Sequence, residues 1–164
     1  MELLQLFDDN KNMLNESIER SKKLEVPTGK YFMIILLFIE NNEGKFLIQK
    51  VAFEDKYATT GGHVTFGDDA LKTCIKEAKE ELGLTLTKDE IKEIEVIKYD
   101  KAYSTVFYVK KNLNIEDLKL QEEEVSGVYW MSNDDIEKLI DEGMFRKGNI
   151  EPYKLVLQKR KNVL

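Results

Sequence analysis

Hydrophobic positions along the chain fall mainly into short runs of strand length. The longest run, residues 31–39, is rich in aromatic and branched side chains and predicts a strand that is buried on both faces. Asn41-Asn42-Glu43-Gly44 predicts a turn, and residues 45–51 predict the second arm of a hairpin. A polar loop at about 52–57 leads to a short strand that ends in residues 59–64.

One helical stripe interrupts this strand-like pattern. At about 100° per residue, the apolar side chains of segment 69–82 fall on one side of a helix. They are Leu71, Cys74, Ile75, Ala78 and Leu82. Asp68 or Asp69 is a suitable N-cap, and Gly83 stands where a C′ glycine belongs. The sequence therefore predicts an amphipathic helix over residues 69–82, with this stripe facing the core.

The segments on either side of this region complete the predicted element order. Before it, residues 2–7 favour a strand, and residues 13–25 are ambiguous between a strand and a short helix. After it, the predicted elements are strands at 92–99, 103–110 and 128–131, a helix at 134–142 that begins after Ser132, and a last helix that Pro152 opens. Together they predict an α/β sandwich with a mixed sheet and about three helices.

Composition and charge narrow the classes of function. The chain has 164 residues, which fits one domain, and its 42% hydrophobic content can form a core. A net charge of −6 argues against a nucleic-acid binder, since such binding depends on clustered cations. One cysteine and one histidine exclude a disulfide framework, a cysteine-based zinc cluster and a multi-histidine site. Without a basic leader or a long apolar run, we expect a cytoplasmic protein with no membrane contact.

Three glutamates share one flank of the predicted helix. Glu77, Glu80 and Glu81 stand three and four residues apart, where like charges repel by about 0.2–0.5 kcal/mol per pair. A divalent cation such as Mg²⁺ would reverse this effect, because it binds carboxylate oxygens together with substrate phosphates. An acidic helix flank alone is typical of a solvated surface. The Gly61-Gly62 pair just before the helix strengthens the metal hypothesis, because glycines allow close backbone approach to a ligand.

The stretch 62–84, GHVTFGDDALKTCIKEAKEELGL, resembles the signature of the Nudix hydrolases. That signature is Gly-x5-Glu-x7-Arg-Glu-U-x-Glu-Glu-x-Gly-U, where U is a bulky aliphatic residue. The residues that match it are Gly62, Glu77, Glu80, Glu81, Gly83 and Leu84. Three positions depart from it, with Asp68 for the first acid, Lys76 for the arginine and Ala78 for the first aliphatic residue. Because all three glutamates of the signature are present, these changes are expected to affect catalytic efficiency more than metal binding.

The resemblance implies the Nudix α/β/α sandwich with a mixed sheet in a single domain, and it covers about residues 30–145. Residues 1–29 are then a β-rich extension packed on the domain, and residues 30–164 form the Nudix domain with C-terminal helices. The N-terminal segment 2–30 and the sequence Thr60-Gly61-Gly62-His63-Val64 are similar to the isopentenyl-diphosphate isomerase-like branch of the Nudix family.

The implied activity is Mg²⁺-dependent hydrolysis of the diphosphate linkage in a nucleoside diphosphate derivative, with Mn²⁺ as an alternative metal. The resemblance assigns metal binding to Glu77, Glu80 and Glu81, with the Gly61 carbonyl as a further ligand, and substrate contacts to Gly61, Gly62 and His63. Asp68, Lys76 and Gly83 are then a structural brace. Glu77 or Glu80 is the favoured general base, and Glu122, Glu123 and Glu124 are outside candidates.

Two other functions remain open at this point. An isopentenyl-diphosphate isomerase in this family uses a cysteine outside the box helix, whereas the only cysteine here is Cys74, within it. A nucleotide-binding domain with weak or no catalysis is the second alternative, since Asp68 and Lys76 depart from the signature. A homodimer is compatible with the sequence, but no segment defines an interface.

Overall fold

Nine β-strands and three α-helices make up the fold, and the computed structural model describes residues 1–164. The strands are β1 (Leu3–Phe7), β2 (Met13–Glu19), β3 (Phe32–Glu40), β4 (Phe46–Val51), β5 (Tyr57–Ala58), β6 (Thr60–His63), β7 (Lys92–Lys98), β8 (Ala102–Lys110) and β9 (Val125–Met131). The helices are α1 (Ala70–Leu82), α2 (Asn133–Asp141) and α3 (Lys147–Lys159). The ambiguous segment 13–25 therefore contains a strand.

Strand β3 lies at the centre of a seven-stranded mixed sheet. It runs parallel to β8 along its whole length and antiparallel to β6, which carries the glycine pair. Both faces of β3 are covered, as the uninterrupted apolar run predicts. The predicted hairpin is only partly correct, because β3 and β4 pair at Glu40 and Phe46 alone. Beyond that pair, β4 hydrogen-bonds to β5 and β9 instead.

Helices cover both faces of this sheet, which confirms the predicted α/β/α order of layers. Under α1 lies a core that includes Ile35, Leu37 and Leu47, and Cys74, Ala78 and Leu82 of the helix pack into it. Under α2 and α3 lies a second core, made largely of aromatic and branched side chains. None of the helices is both long enough and apolar enough to cross a membrane.

The N-terminal strands form an antiparallel hairpin that is attached beside the glycine strand. The Gln5 amide donates to the Val64 carbonyl at 3.0 Å, and the Phe66 amide donates to the Leu3 carbonyl at 2.9 Å. Strand β1 thus bridges to the segment that joins β6 to α1, while β1 and β2 form a two-stranded sheet of their own. The division of the chain at residues 29 and 30 stays a prediction.

Helix α3 begins earlier than the sequence predicts. Pro152 lies inside the helix rather than opening it, and the first helical residue is Lys147. Arg146 makes no side-chain cap bond, so the local signal for this helix start is missing. The start is set by pairing to β5, since Tyr57 donates to the Met144 carbonyl and Arg146 donates to the Tyr57 carbonyl, both at 2.8 Å.

The C-terminal end of α3 is attached to the sheet through a buried carboxylate. Glu40, which is 4% exposed, accepts a hydrogen bond from the Tyr108 hydroxyl at 2.6 Å. Arg160 places its Nε atom 3.1 Å from the same Glu40 oxygen. A buried charge requires such a partner, so this group fixes the helix end against the strand.

Candidate active site

Caps at both ends fix the position of α1. The Asp69 side chain accepts a hydrogen bond from the Lys72 amide at 2.8 Å, which makes Asp69 rather than Asp68 the N-cap. Gly83 adopts a left-handed conformation with φ of 67°, and its backbone amide donates a hydrogen bond to the Lys79 carbonyl. A C′ glycine favours this geometry, because other residues are strained at positive φ. The predicted helix is confirmed within one residue.

The buried face of α1 differs from the predicted stripe in one important respect. Cys74, Ala78 and Leu82 are fully buried as expected, but Leu71 and Ile75 are only partly buried. Glu81, which the pattern places on the flank, is 8% exposed. Of the other two glutamates, Glu77 is half-buried and Glu80 is exposed. The helix therefore turns one of its carboxylates into the interior.

The two glycines of β6 meet different neighbours. A Cβ atom at position 62 would stand 2.5 Å from the Cδ atom of Glu77, so the absence of a side chain on Gly62 lets this carboxyl reach the strand. A Cβ atom at position 61 would stand 2.7 Å from the Ile35 carbonyl oxygen of β3. Gly62 therefore serves the candidate site, and Gly61 serves the close packing of β6 on β3.

Glu77 and Glu81 form a pair of carboxyl groups that lie near enough to shift each other's pKa. Burial raises the pKa of Glu81 to about 8, and the neighbouring charge of Glu77 adds to this effect. Burial also raises the pKa of Glu77, to which the charge of Glu80 contributes. No lysine or arginine forms an ion pair with either carboxyl.

The chemistry of this pair fits a hard divalent cation. Two partly desolvated carboxylates repel each other when both are ionised, and a cation would remove that repulsion. Glu77 and Glu81 would hold the ion, with Glu80 on the same helix as the third candidate ligand and Gly61 and Gly62 on the adjacent strand. No three His, Cys, Asp or Glu side chains stand close enough together to enclose a metal ion.

Comparison with known proteins decides the family. The family model of the NUDIX domain matches residues 30–154, which is most of the chain. The chain belongs to the Nudix family. Segment 62–84, with the three glutamates of α1, is therefore its Nudix box. Family membership makes the protein a Nudix hydrolase, a class that acts on phosphoric anhydride bonds.

Relatives and solved structures agree with this assignment. The protein named uncharacterized Nudix hydrolase lin0387, from Listeria innocua, is 26% identical to this chain over 152 residues. The match covers 88% of this chain and 88% of the Listeria protein. The crystal structure of DR0079 from Deinococcus radiodurans has a TM-score of 0.69 at 16% identity and covers 87% of this chain and 91% of its own. A bifunctional NMN adenylyltransferase/ADP ribose pyrophosphatase from Francisella tularensis, complexed with AMP and a Mn ion, has a TM-score of 0.65 at 17% identity. That match covers 84% of this chain and 43% of the Francisella protein.

The other predicted box residues lie around the glutamates. Asp68 and Lys76 approach to 4.0 Å, and Asp68 also accepts a hydrogen bond from the Thr65 hydroxyl at 2.9 Å. Both partners are substantially exposed, so this pair is weaker than a bidentate arginine contact. His63 stacks on Phe32 with ring centroids 5.8 Å apart, and burial lowers its pKa. His63 is thus a neutral, partly packed side chain at the end of β6.

Two residues beside Glu81 are missed or ranked low by sequence reasoning. Gln49 of β4 is 5% exposed, and its amide stands next to the Glu81 carboxyl, where it lowers the pKa of that group. Glu124, one of the outside candidates, is near enough for its charge to raise the pKa of Glu81. The Gln121 amide donates to the Glu81 carbonyl at 3.0 Å and holds this acidic loop on the helix end. The signal for Gln49 is a polar residue in an apolar strand.

Cys74 lies on the buried side of α1, about two helical turns before Glu81. Its side chain is fully buried in the core, and burial raises the pKa of its thiol to about 12. A thiol in this environment is a packing group rather than an acid–base catalyst. Because it is the only cysteine in the chain, this burial weighs against the isomerase alternative.

Two surface concavities border Trp130 of β9. One is lined by residues 112–116, and the other by side chains of β5, β9 and α2, including Tyr57 and Leu139. Neither includes a glutamate of the Nudix box. The candidate site is instead the contact between α1 and β6.

Proposed function

We propose that this Nudix hydrolase cleaves the diphosphate linkage of a nucleoside diphosphate derivative with the help of Mg²⁺, which Mn²⁺ can replace. The observation that carries the proposal is the Glu77–Glu81 pair, which is partly desolvated, forms no ion pair with a basic side chain and places the Glu77 carboxyl against the Gly62 backbone. A site built of hard oxygen donors next to exposed backbone is the kind that binds Mg²⁺ together with phosphate groups. The Francisella protein's AMP and Mn ion support a nucleotide and a divalent metal as partners.

Each box residue receives a role in this proposal. Glu77 and Glu81 hold the metal, the exposed side chain of Glu80 turns toward them to add a third carboxylate, and the Gly61 carbonyl is a further ligand. Bound Mg²⁺ would neutralise charge on the diphosphate and make water a stronger acid. The glycine pair and His63 border the diphosphate.

The reaction is a displacement at phosphorus. The oxygen of water bonds to phosphorus, the bridging P–O bond breaks, and the leaving phosphate carries away the electron pair of that bond. Glu77 or Glu80 accepts the proton of the attacking water. Glu80 is the more solvated of the two, whereas Glu77 is the closer to the glycine strand. Asp68, Lys76 and Gly83 keep the loop and the helix in place.

The decisive experiment is a Mg²⁺-dependent assay over nucleoside triphosphates, dinucleotides, ADP-ribose and nucleotide sugars. Release of a nucleoside monophosphate from at least one of them, abolished by a chelator, is expected. Glu80→Gln and Glu81→Gln should each lower turnover by at least about 100-fold. Glu137→Gln, on the exposed face of α2, is the matched control and should leave the rate unchanged.

Two results would overturn the proposal. The first is binding of Mg²⁺ and nucleotide with no product from any compound, which would indicate a binding domain. The second is a turnover in both box variants equal to that of the wild-type protein, which would remove the assigned roles.

A further inference from the structure

Gln5 is a polar side chain in the apolar strand β1. Its neighbours Leu4, Leu6 and Phe7 are core residues, and Gln5 itself is only 1% exposed. An amide in such a position must find its hydrogen-bond partners within the protein. The strand belongs to the N-terminal hairpin, which precedes the region that the family model matches from residue 30 onward. Family membership therefore gives this hairpin no role.

The Gln5 side chain connects this hairpin to the box loop, residues 64–68, which leads from β6 into α1. Its Oε1 atom accepts a hydrogen bond from the Gly67 backbone amide at 2.9 Å. Its Nε2 atom donates to the Leu6 carbonyl at 2.9 Å and to the Leu14 carbonyl of β2. The hairpin therefore fixes the orientation of the amide. Gly67 is exposed, and no atom lies within 4 Å of the place of a side chain there, so packing contributes little to its position.

The box loop is thus held from two sides. On the hairpin side, the Gln5–Gly67 bond adds to the backbone bonds that Val64 and Phe66 make with β1. On the helix side, the loop is held through Asp68, whose carboxyl lies 4.0 Å from the Lys76 ammonium group. Those two side chains are 33% and 46% exposed, so water and salt screen their attraction. The hairpin side is the better-built attachment.

We infer that Gln5 is a positioning residue of the candidate site, through which the N-terminal hairpin holds the box loop that the Asp68–Lys76 pair braces only weakly. This role rests on the proposed function, because it requires the Glu77 carboxyl beside Gly62 to belong to the active site. The box loop joins β6 to α1, so its shape sets how the strand and the helix approach each other. A shift of about 1 Å in a catalytic group can lower the rate by about 100-fold.

The competing explanation is that Gln5 only attaches the hairpin to the domain. In that case its replacement would lower folding stability and leave the site unchanged. Gln5→Met keeps the length of the side chain and loses its hydrogen bonds. Tyr103→Phe is the matched control, because it removes the 2.8 Å bond from the Tyr103 hydroxyl to the Asp8 carbonyl. That bond attaches the turn of the hairpin and does not involve the box loop.

A second pair of substitutions tests whether Gln5 and the brace act on the same loop. Asp68→Glu together with Lys76→Arg restores the two signature residues, and arginine can form the bidentate contact that lysine cannot. A box loop that is held more firmly from the helix side needs Gln5 less. The restored pair should therefore recover part of the turnover that Gln5→Met loses, and should change the turnover of the wild-type chain less. Attachment of the hairpin alone predicts no such rescue.

The experiment measures three properties of the full chain: kcat and KM for the compound that the Mg²⁺ assay identifies, Mn²⁺ affinity without nucleotide by electron paramagnetic resonance, and urea unfolding. Gln5→Met should lower kcat by about 10–100-fold, raise KM less, and weaken Mn²⁺ binding by about tenfold. Tyr103→Phe should lose stability and keep the kcat and Mn²⁺ affinity of the wild-type protein. Hydrogen exchange of the Gly67 amide should become faster in Gln5→Met alone, which verifies that the intended bond is lost.

The outcomes separate the role of Gln5 from the function on which it rests. If the wild-type chain hydrolyses none of the compounds, the proposed function fails. If the wild-type chain is active and Gln5→Met keeps its kcat and Mn²⁺ affinity, the role of Gln5 is wrong while the proposed function stands. Equal losses of kcat in Gln5→Met and Tyr103→Phe would also overturn that role. If Gln5→Met does not fold, Gln5→Asn, whose side chain is a methylene group too short to reach Gly67, decides in the same way.

Discussion

The carboxyl group of Glu77 occupies the space that a side chain at Gly62 would fill. A Cβ atom at position 62 would lie 2.5 Å from Glu77 Cδ and 2.7 Å from its Oε1 atom. The close approach of β6 and α1 thus places the Glu77 carboxyl directly against the backbone of Gly62. Both residues belong to the fixed positions of the Nudix box, and the structure gives the physical reason for their spacing.

Gly62→Ala is expected to impair catalysis without unfolding the protein. The new methyl group would displace the end of the flexible Glu77 side chain, and a shift of about 1 Å in a catalytic group can lower the rate by about 100-fold. Stability should change by no more than about 1 kcal/mol, since no backbone atom is among the nearest neighbours. Turnover and urea unfolding are the two measurements.

Gly148→Ala provides the matched control for this substitution. Gly148 lies in α3, and no atom stands within 4 Å of the place that a methyl group would take, so alanine should raise stability by about 0.5–1 kcal/mol through helix propensity. It should leave turnover unchanged. Wild-type turnover in Gly62→Ala would show that the position of Glu77 is unimportant.

The stability of the metal-free protein should depend on pH through Glu81. In the unfolded chain this carboxyl has its ordinary pKa of 4.5, whereas burial and the charge of Glu77 raise the folded pKa to about 8. Between these values the folded state keeps a proton that the unfolded state has released. Stability therefore falls as the pH rises through this window and levels off above it.

Urea unfolding in the presence of a chelator, from about pH 5 to about pH 9, tests this dependence. Glu81→Gln should remove most of the slope, because glutamine does not titrate. Adding Mg²⁺ at the upper end should restore stability to the wild-type protein more than to the variant, since a ligand of the folded state stabilises it. Parallel pH profiles for the two proteins would contradict the assignment of Glu81.

The sequence predicts the parts of this fold that depend on local signals. The uninterrupted apolar run from residue 31 to 39 identifies the central strand, since only a strand covered on both faces needs such a composition. Asp69 and Gly83 define α1 within one residue because each satisfies backbone groups by itself. The fixed spacing of Glu77, Glu80 and Glu81 along one helix is also a local signal, and it identifies them as candidate metal ligands.

The remaining features depend on tertiary contacts. The loop at Gln121 packs on the end of α1 at Glu81, which is buried, and helical periodicity contains no information about that loop. The start of α3 follows from the pairing of Arg146 with Tyr57 rather than from a cap residue. Gln49 gives a signal, a lone amide among apolar neighbours, but the strand pattern does not show that this amide bonds to Thr60 of β6.

Cys74 should resist thiol reagents in the folded protein. Burial raises the pKa of its thiol from the usual 9.0 to about 12, so the thiolate fraction near pH 8 falls by roughly 1,000-fold. Reaction with a coloured disulfide reagent should therefore be slower by at least that factor than in guanidinium chloride. Cys74→Ala should retain hydrolysis, which separates this protein from an isomerase that depends on its cysteine. Rapid labelling of the native chain, or loss of turnover in the variant, would reopen that alternative.

The ion pair between Glu40 and Arg160 should contribute more to stability than an ion pair on the surface. Glu40 has only 6% of its side chain exposed and Arg160 has 20%, so removing the arginine leaves a buried carboxylate with the Tyr108 hydroxyl as its remaining partner. Arg160→Met is expected to lower the free energy of unfolding by about 3 kcal/mol.

The pair between Glu2 and Arg20 offers the comparison, because 42% and 51% of those side chains are exposed. Arg20→Met should lower the free energy of unfolding by less than about 1 kcal/mol, as is usual for a solvated pair. Glu40→Gln combined with Arg160→Met should recover part of the loss, since a neutral amide no longer needs the cation. Urea unfolding of the four proteins measures all these changes. If Arg160→Met and Arg20→Met lose equal stability, the buried carboxylate does not hold the end of α3 against the sheet.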